Sequence, residues 1–273
     1  VGSEMCIRDS SKIVEITLPE LYKGKATIIK DNEFLETRAY VEPFIERMSK
    51  FTDDFRIQVK LPDQITKTKE GEIDTDDITY NRVWVQAVLP EEYSFDNHDE
   101  VVGLVYGLDV RKPVVKIYRG GLNRACTNLC VFSPSFLNVR ELEPKKLINF
   151  SSVTKLMEQT NDIKVWLKKL HETEFDRTDE LIERNLGMWI RNSINLSYDT
   201  GYGKVKLATS TPIDAYKLMF ENKKSEYFIP EDKPVNMFTV YNAFTQLISN
   251  DGGKDIMNKV EKTLLLKDIL TID

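Results

Sequence analysis

The chain has 273 residues, 41% of them hydrophobic and 30% charged, with a formal net charge of −6 and three cysteines. A chain of this length buries a sizeable core as one large or two small domains without disulfides or metal. Its few cysteines exclude a disulfide framework and point to a reducing cytoplasm, and no apolar run reaches bilayer-spanning length, so a soluble intracellular protein is expected.

Residues 1–10, Val1 to Ser10, read as a translated sequencing adapter and are expected to be an artefact outside the fold, hiding the native N-terminus. Without Cys6, only Cys126 and Cys130 remain. The fold class expected is α+β: a mostly antiparallel N-terminal sheet with one helix, followed by a helical C-terminal half. The sheet region covers 11–145 and the helical region 146–273. With no low-complexity linker between them, the two are expected to pack as one body.

Strands begin at Ile13, Val14 and Ile16 and continue through Ala26 to Ile29. A helix from about Glu36 to Phe51 carries Tyr40, Phe44, Ile45 and Met48 at helical spacing, with Pro43 expected in its first turn. The runs Phe55 to Leu61 and Ile78 to Leu89 alternate as strands. In the second, Val83, Val85, Ala87 and Leu89 share one face and Trp84 and Val88 the other, so both faces should be covered. Val101 to Leu108 and Val114 to Tyr118 are two further strands joined by a turn over Asp109 to Pro113. Gly103 and Gly107 are expected to bend the first, and a strand follows near Cys126 to Phe132.

Beyond Pro144 the period is helical, with Ser151 or Ser152 as a cap and Val153, Leu156, Met157, Ile163, Leu167 and Leu170 as a stripe. The next helix starts at Thr178, whose hydroxyl can accept from exposed amides, and buries Ile182, Leu186, Trp189 and Ile190. Thr211-Pro212 signals another start. Two last helices, near Val235 to Ser249 and Lys254 to Asp268, bury Phe238, Tyr241, Phe244 and Leu247, then Ile256, Val260 and Leu264.

Charge is polarised along the chain. Residues 101–170 hold twelve Lys/Arg against five Asp/Glu, a balance of +7, which leaves −13 for the rest of a chain totalling −6. An acidic run at Glu70, Glu72, Asp74, Asp76 and Asp77 marks an exposed loop. The basic centre faces either an anionic partner or the acidic flanks of the same molecule.

Two histidines, His98 and His171, exclude a multi-histidine metal centre. Zinc would have to recruit Cys126 and Cys130, whose spacing suits a helix better than the strand expected there, so the cysteines read as small buried hydrophobes. No metal and no cofactor is expected. Asp96, His98, Asp99 and Glu100 are the densest group of acid, base or hard-cation ligands, and serve either a metal-dependent nuclease or phosphoesterase or simply a turn. Neither a Gly-x-Ser-x-Gly elbow nor a Walker loop is present. Thr200 to Lys204 reads as an interhelical turn and Gly120-Gly121 as a turn.

The strongest ligand surface is basic: Lys112, Lys116, Arg119 and Arg124 supply phosphate neutralisation, Tyr118 a stacking ring, and Asn128 is counted with them. Lys116 and Tyr118 share a strand face, and Arg119 joins them only if Gly120 bends the strand. Lys164, Lys168 and Lys169 form a solvated helix face or add charge to that surface.

Asp96-Asn97-His98-Asp99, Arg124-Ala125-Cys126-Thr127-Asn128 and Tyr241-Asn242-Ala243-Phe244-Thr245 together resemble the phage/plasmid-like family, a domain of unknown function found in phages, prophages and plasmids. Asp96 and Glu100 depart from that family's turn, and Leu129 stands where members carry glycine. The resemblance implies a mobile-element setting in a bacterial host cytoplasm, close to replication and recombination functions, and it transfers no catalytic residue. The expected activity is therefore single-stranded DNA or other nucleic-acid binding in replication or recombination, without catalysis. Phage replication proteins and a second copy of the chain are partners to consider, and a membrane is not. The alternatives are the metal-dependent hydrolase above and a host-factor or defence-interaction protein whose acidic flanks mimic nucleic acid.

Overall fold

The computed structural model describes residues 13–24, 26–30, 33–61, 79–90, 95–97, 100–111, 114–123, 129–130, 140–142, 165, 168–199, 204–251 and 255–271. In chain order the first half contains β1 (Ile13–Ile16), α1 (Leu18–Lys23), β2 (Ala26–Lys30), β3 (Glu33–Glu36), α2 (Thr37–Met48), β4 (Phe55–Lys60), β5 (Thr79–Tyr80) and β6 (Arg82–Val88). It continues with β7 (Phe95–Asn97), β8 (Glu100–Arg111), β9 (Val114–Asn123), β10 (Leu129–Cys130) and β11 (Arg140–Leu142). The second half has β12 (Glu174–Phe175), α3 (Asp179–Asn195), β13 (Tyr198–Asp199) and β14 (Lys204–Val205). It ends with α4 (Ser210–Tyr216) running into a π-helix (Lys217–Glu221), then β15 (Val235–Asn236), α5 (Met237–Asn250) and α6 (Ile256–Ile269). The chain is α+β, a mostly antiparallel sheet region followed by helices.

The main sheet has the order β1-β4-β6-β8-β9-β10, every pair antiparallel. Val102 of β8 pairs with both Phe95 and Asn123, so β7 continues the edge that β6 occupies further along. On the outer edge of β9, β11 pairs with residues 115–117 and β10 with 121–122. A second sheet, β3-β2-β5, holds the one parallel pairing among the described strands, β2 with β5.

Alternation along β6 places its two faces in two different environments, because successive side chains leave a strand on opposite sides. Val83, Val85, Ala87 and Leu89 enter the principal core with Tyr40, Phe44 and Met48 of α2, and that core continues into α5. Trp84 and Val88 pack on the other side against Met257, Val260 and Leu264 of α6. The expectation that both faces are covered holds.

Three polar contacts fix α6 on the sheet: the Arg82 guanidinium donates to Glu261 Oε1 at 2.7 Å, the Ile256 amide donates to Gln58 Oε1 at 2.8 Å, and Asp255 caps the helix by accepting from the Asn258 amide at 2.9 Å. Each answers a group that would otherwise be buried or left open at a helix end. Thr178 caps α3, accepting from the Leu181 amide at 3.3 Å as expected, and Ile182 and Trp189 are buried.

Several local expectations change. A second N-terminal helix, α1, precedes the expected one. Thr17 and Glu20 form its capping box, a Ser/Thr-x-x-Glu signal present in the sequence. Pro43 lies inside α2, not in its first turn, because the helix starts at Thr37. β8 runs on to Arg111 and β9 begins at Val114, which shortens the expected Asp109-to-Pro113 turn. Gly103 and Gly107 cause no register shift, and Gly120-Gly121 is strand rather than turn, since pairing is continuous from Val102↔Asn123 to Arg111↔Val114. Ladder hydrogen bonds need only backbone, so neighbouring strands hold glycines in place that lack local strand preference.

The strand expected near Cys126 to Phe132 is described only as Leu129–Cys130. α4 starts at Ser210, ahead of Thr211, and Thr209 makes no side-chain cap bond. The segment around Thr200 to Lys204 joins the paired strands β13 and β14, not two helices. The acidic run at 70–77 and the helical stripe from 151 to 163 lie outside the described residues.

Candidate nucleic-acid interface

Of the expected basic set, Lys116, Tyr118 and Arg119 fall on β9, while Lys112, Arg124 and Asn128 lie outside the described residues. The unbroken register assigns each of the three to a row across the sheet. Tyr118 is opposite Gly107, which is opposite Gln86, which is opposite Arg56. Lys116 is opposite Asp109 and, on its other side, Glu141. Asp109 leads on through Trp84 and Gln58 to Glu15.

Both rows have the parity of Trp84 and Val88, the α6 side of the sheet. Arg119 is opposite Tyr106 and, beyond it, Ala87, whose parity is that of the principal core. Lys116 and Tyr118 therefore belong to one face and Arg119 to the other, and Gly120 introduces no register shift that would reunite them.

In the ladder, the Lys116 position is flanked by the positions of Asp109 and Glu141. The same face carries cations that the composition-based cluster left out. Arg56, on β4, is exposed and has no ion-pair or hydrogen-bond partner among the described residues. Arg82 is instead committed to Glu261. The signal for Arg56 is its alternation with Phe55 and Ile57 in the run Phe55-Arg56-Ile57-Gln58-Val59-Lys60. That alternation puts Arg56, Gln58 and Lys60 on the side of β4 away from the principal core.

The second candidate cluster divides similarly. Asp96 pairs with Val101 and Asn97 with Glu100, so Asp96 and Glu100 hold ladder positions of opposite parity, and His98 and Asp99 lie outside the described residues. Among the described residues no three His, Cys, Asp or Glu side chains gather as a metal site. Lys168 pairs with Glu172 one helical turn away at 3.6 Å, both strongly exposed, which is a solvated helix face.

A polar cleft of about 520 Å³ opens between the β12 and β15 segments, lined by Glu174, Asp176, Arg177, Glu231, Asp232 and Lys233 among others. Arg177 is occupied there: it donates to the Ile229 carbonyl at 2.6 Å and lies over the Phe220 ring at 5.4 Å. Four carboxylates against two cations make this cleft a poor host for a polyanion. No helix among the described residues is long and apolar enough to cross a membrane. Comparison with protein-family models, curated proteins and solved structures returns no match to this chain.

Proposed function

We propose that the chain binds single-stranded nucleic acid, DNA in the first instance, on the β8–β9 part of the sheet face shared with α6, and that it serves replication or recombination of a mobile element. The observation supporting this reading is the common parity of Lys116, Tyr118 and the exposed Arg56, which has no partner among the described residues, on one antiparallel face. Cations on such a face neutralise phosphates and an aromatic residue stacks an unpaired base, which is how sheet platforms hold single strands. Lys112, Arg124 and Asn128 remain in the proposed contact set, and Arg119 belongs to it only if the ligand reaches the opposite face. The mobile-element setting comes from the family resemblance.

Titration of the full chain with labelled single-stranded DNA, duplex DNA and RNA at two salt concentrations tests the reading. Single strands should bind tightest, with affinity falling steeply as salt rises. Lys116→Ala and Tyr118→Ala should each weaken binding, and Arg119→Ala should leave it near wild type. Absence of salt-dependent binding to any of the three nucleic acids would remove the function.

A further inference from the structure

Gln86 is 2% exposed, and its Oε1 has no hydrogen-bond partner among the described residues. Burial strips water from such a carbonyl oxygen, so it keeps hydrogen-bonding capacity that a donor from a ligand would satisfy. Gln86 lies in the middle of the row Arg56–Gln86–Gly107–Tyr118, one position on four adjacent strands. At about 4.8 Å between strands that row spans about 14 Å. Arg56 at one end is exposed and has no partner among the described residues, and Gly107, beside Gln86, puts no side chain of its own between Gln86 and the Tyr118 position.

We propose that this row is a nucleotide subsite in which Arg56 takes a backbone phosphate and the Gln86 carboxamide hydrogen-bonds the edge of an unpaired base that enters over Gly107. The inference rests on the single-strand reading above and deepens it by separating a phosphate contact from a base contact. A carboxamide presents an acceptor and a donor side by side, the complement of a base edge that offers a donor next to an acceptor. Gln86→Met has nearly the same shape without those groups. Gln86 therefore contributes base preference, while Arg56 contributes affinity for any sequence.

The two roles differ in salt dependence. With a labelled mixed-sequence oligodeoxynucleotide and the full chain, Arg56→Ala should weaken binding and lower the magnitude of the log-affinity against log-salt slope by about 0.7, the loss of one single-strand phosphate contact. Gln86→Met should weaken binding about tenfold with the slope unchanged, because the lost contact releases no counterion. Its melting temperature should hold or rise, since the carbonyl oxygen it removes has no partner among the described residues.

If both variants match wild type in affinity and slope while Lys116→Ala still binds more weakly, the row is not a subsite and the single-strand reading survives. If wild type binds no oligonucleotide, both fall together. If Gln86→Met melts earlier than wild type, its binding no longer isolates the base contact. The Arg56→Ala slope, read at an exposed position, then decides, and an unchanged slope overturns the subsite.

Discussion

Arg82 and Glu261 stand 179 residues apart in the chain and meet at 2.7 Å, with side-chain exposures of 11% and 2%. The pair clamps α6 onto the sheet beside Trp84, where Met257, Val260 and Leu264 complete a small apolar cluster. Two charges removed from water at such a site hold together only while both are present. Arg82→Met should thus cost about 3 kcal/mol, because the buried Glu261 carboxylate loses its guanidinium donor at 2.7 Å. Urea unfolding of Arg82→Met, Glu261→Leu and the double variant checks this. The double variant should recover most of the loss, and equal losses in all three would contradict a clamp.

A Cβ on Gly24 would sit 2.2 Å from the Tyr80 ring. That ring is fully buried, and its hydroxyl donates to the Glu20 carbonyl at 3.3 Å, so it has little room to retreat. Gly24→Ala should destabilise by about 1–3 kcal/mol through overpacking, although φ at this position suits any residue. An unchanged denaturation midpoint would show that the ring yields freely.

Desolvation pushes the Tyr80 phenol up to about 12, with the Glu20 carboxylate adding to the shift. A pKa raised above its unfolded value of 10.0 gives a stabilisation that is complete below pH 10 and lost as pH climbs toward 12. Alkaline unfolding followed across that window should be shallower in Tyr80→Phe than in wild type. Identical curves would assign the alkaline loss to other groups.

Pro43 is the seventh residue of α2 and brings no amide for the Ala39 carbonyl one turn back. Pro43→Ala restores that bond, and interior proline is disfavoured by about 3 kcal/mol against alanine. A gain of about 2 kcal/mol should remain after the proline's restriction of the unfolded chain is lost. Thermal melting measures it, and a fall in melting temperature would mean that the helix geometry around residue 43 depends on the ring.

Much of the architecture is legible locally. The Thr17–Glu20 capping box, the Thr178 cap and the two-sided burial of β6 each depend on residues within one element, so propensity and period report them. Gly120-Gly121 and the extension of β8 to Arg111 are not legible in this way, because partner strands override what those residues prefer alone. For the candidate interface, alternation already groups Lys116 with Tyr118. Arg56 escapes notice because it lies 60 residues from Lys116, outside the basic stretch, and joins that face only through two intervening strands.

The amino-acid order alone determines an α+β chain with strands first and helices after, and the side of its own strand on which each residue falls. Period-two and period-3.6 patterns are properties of short segments and need no partner. Tertiary structure alone decides that Lys116 lies between Asp109 and Glu141, that Gln86 stands beside Gly107, and that Arg82 reaches Glu261. Strand register is chosen by distant chain segments and a one-residue slip would exchange every neighbour, so those contacts exist only once the sheet and α6 have assembled.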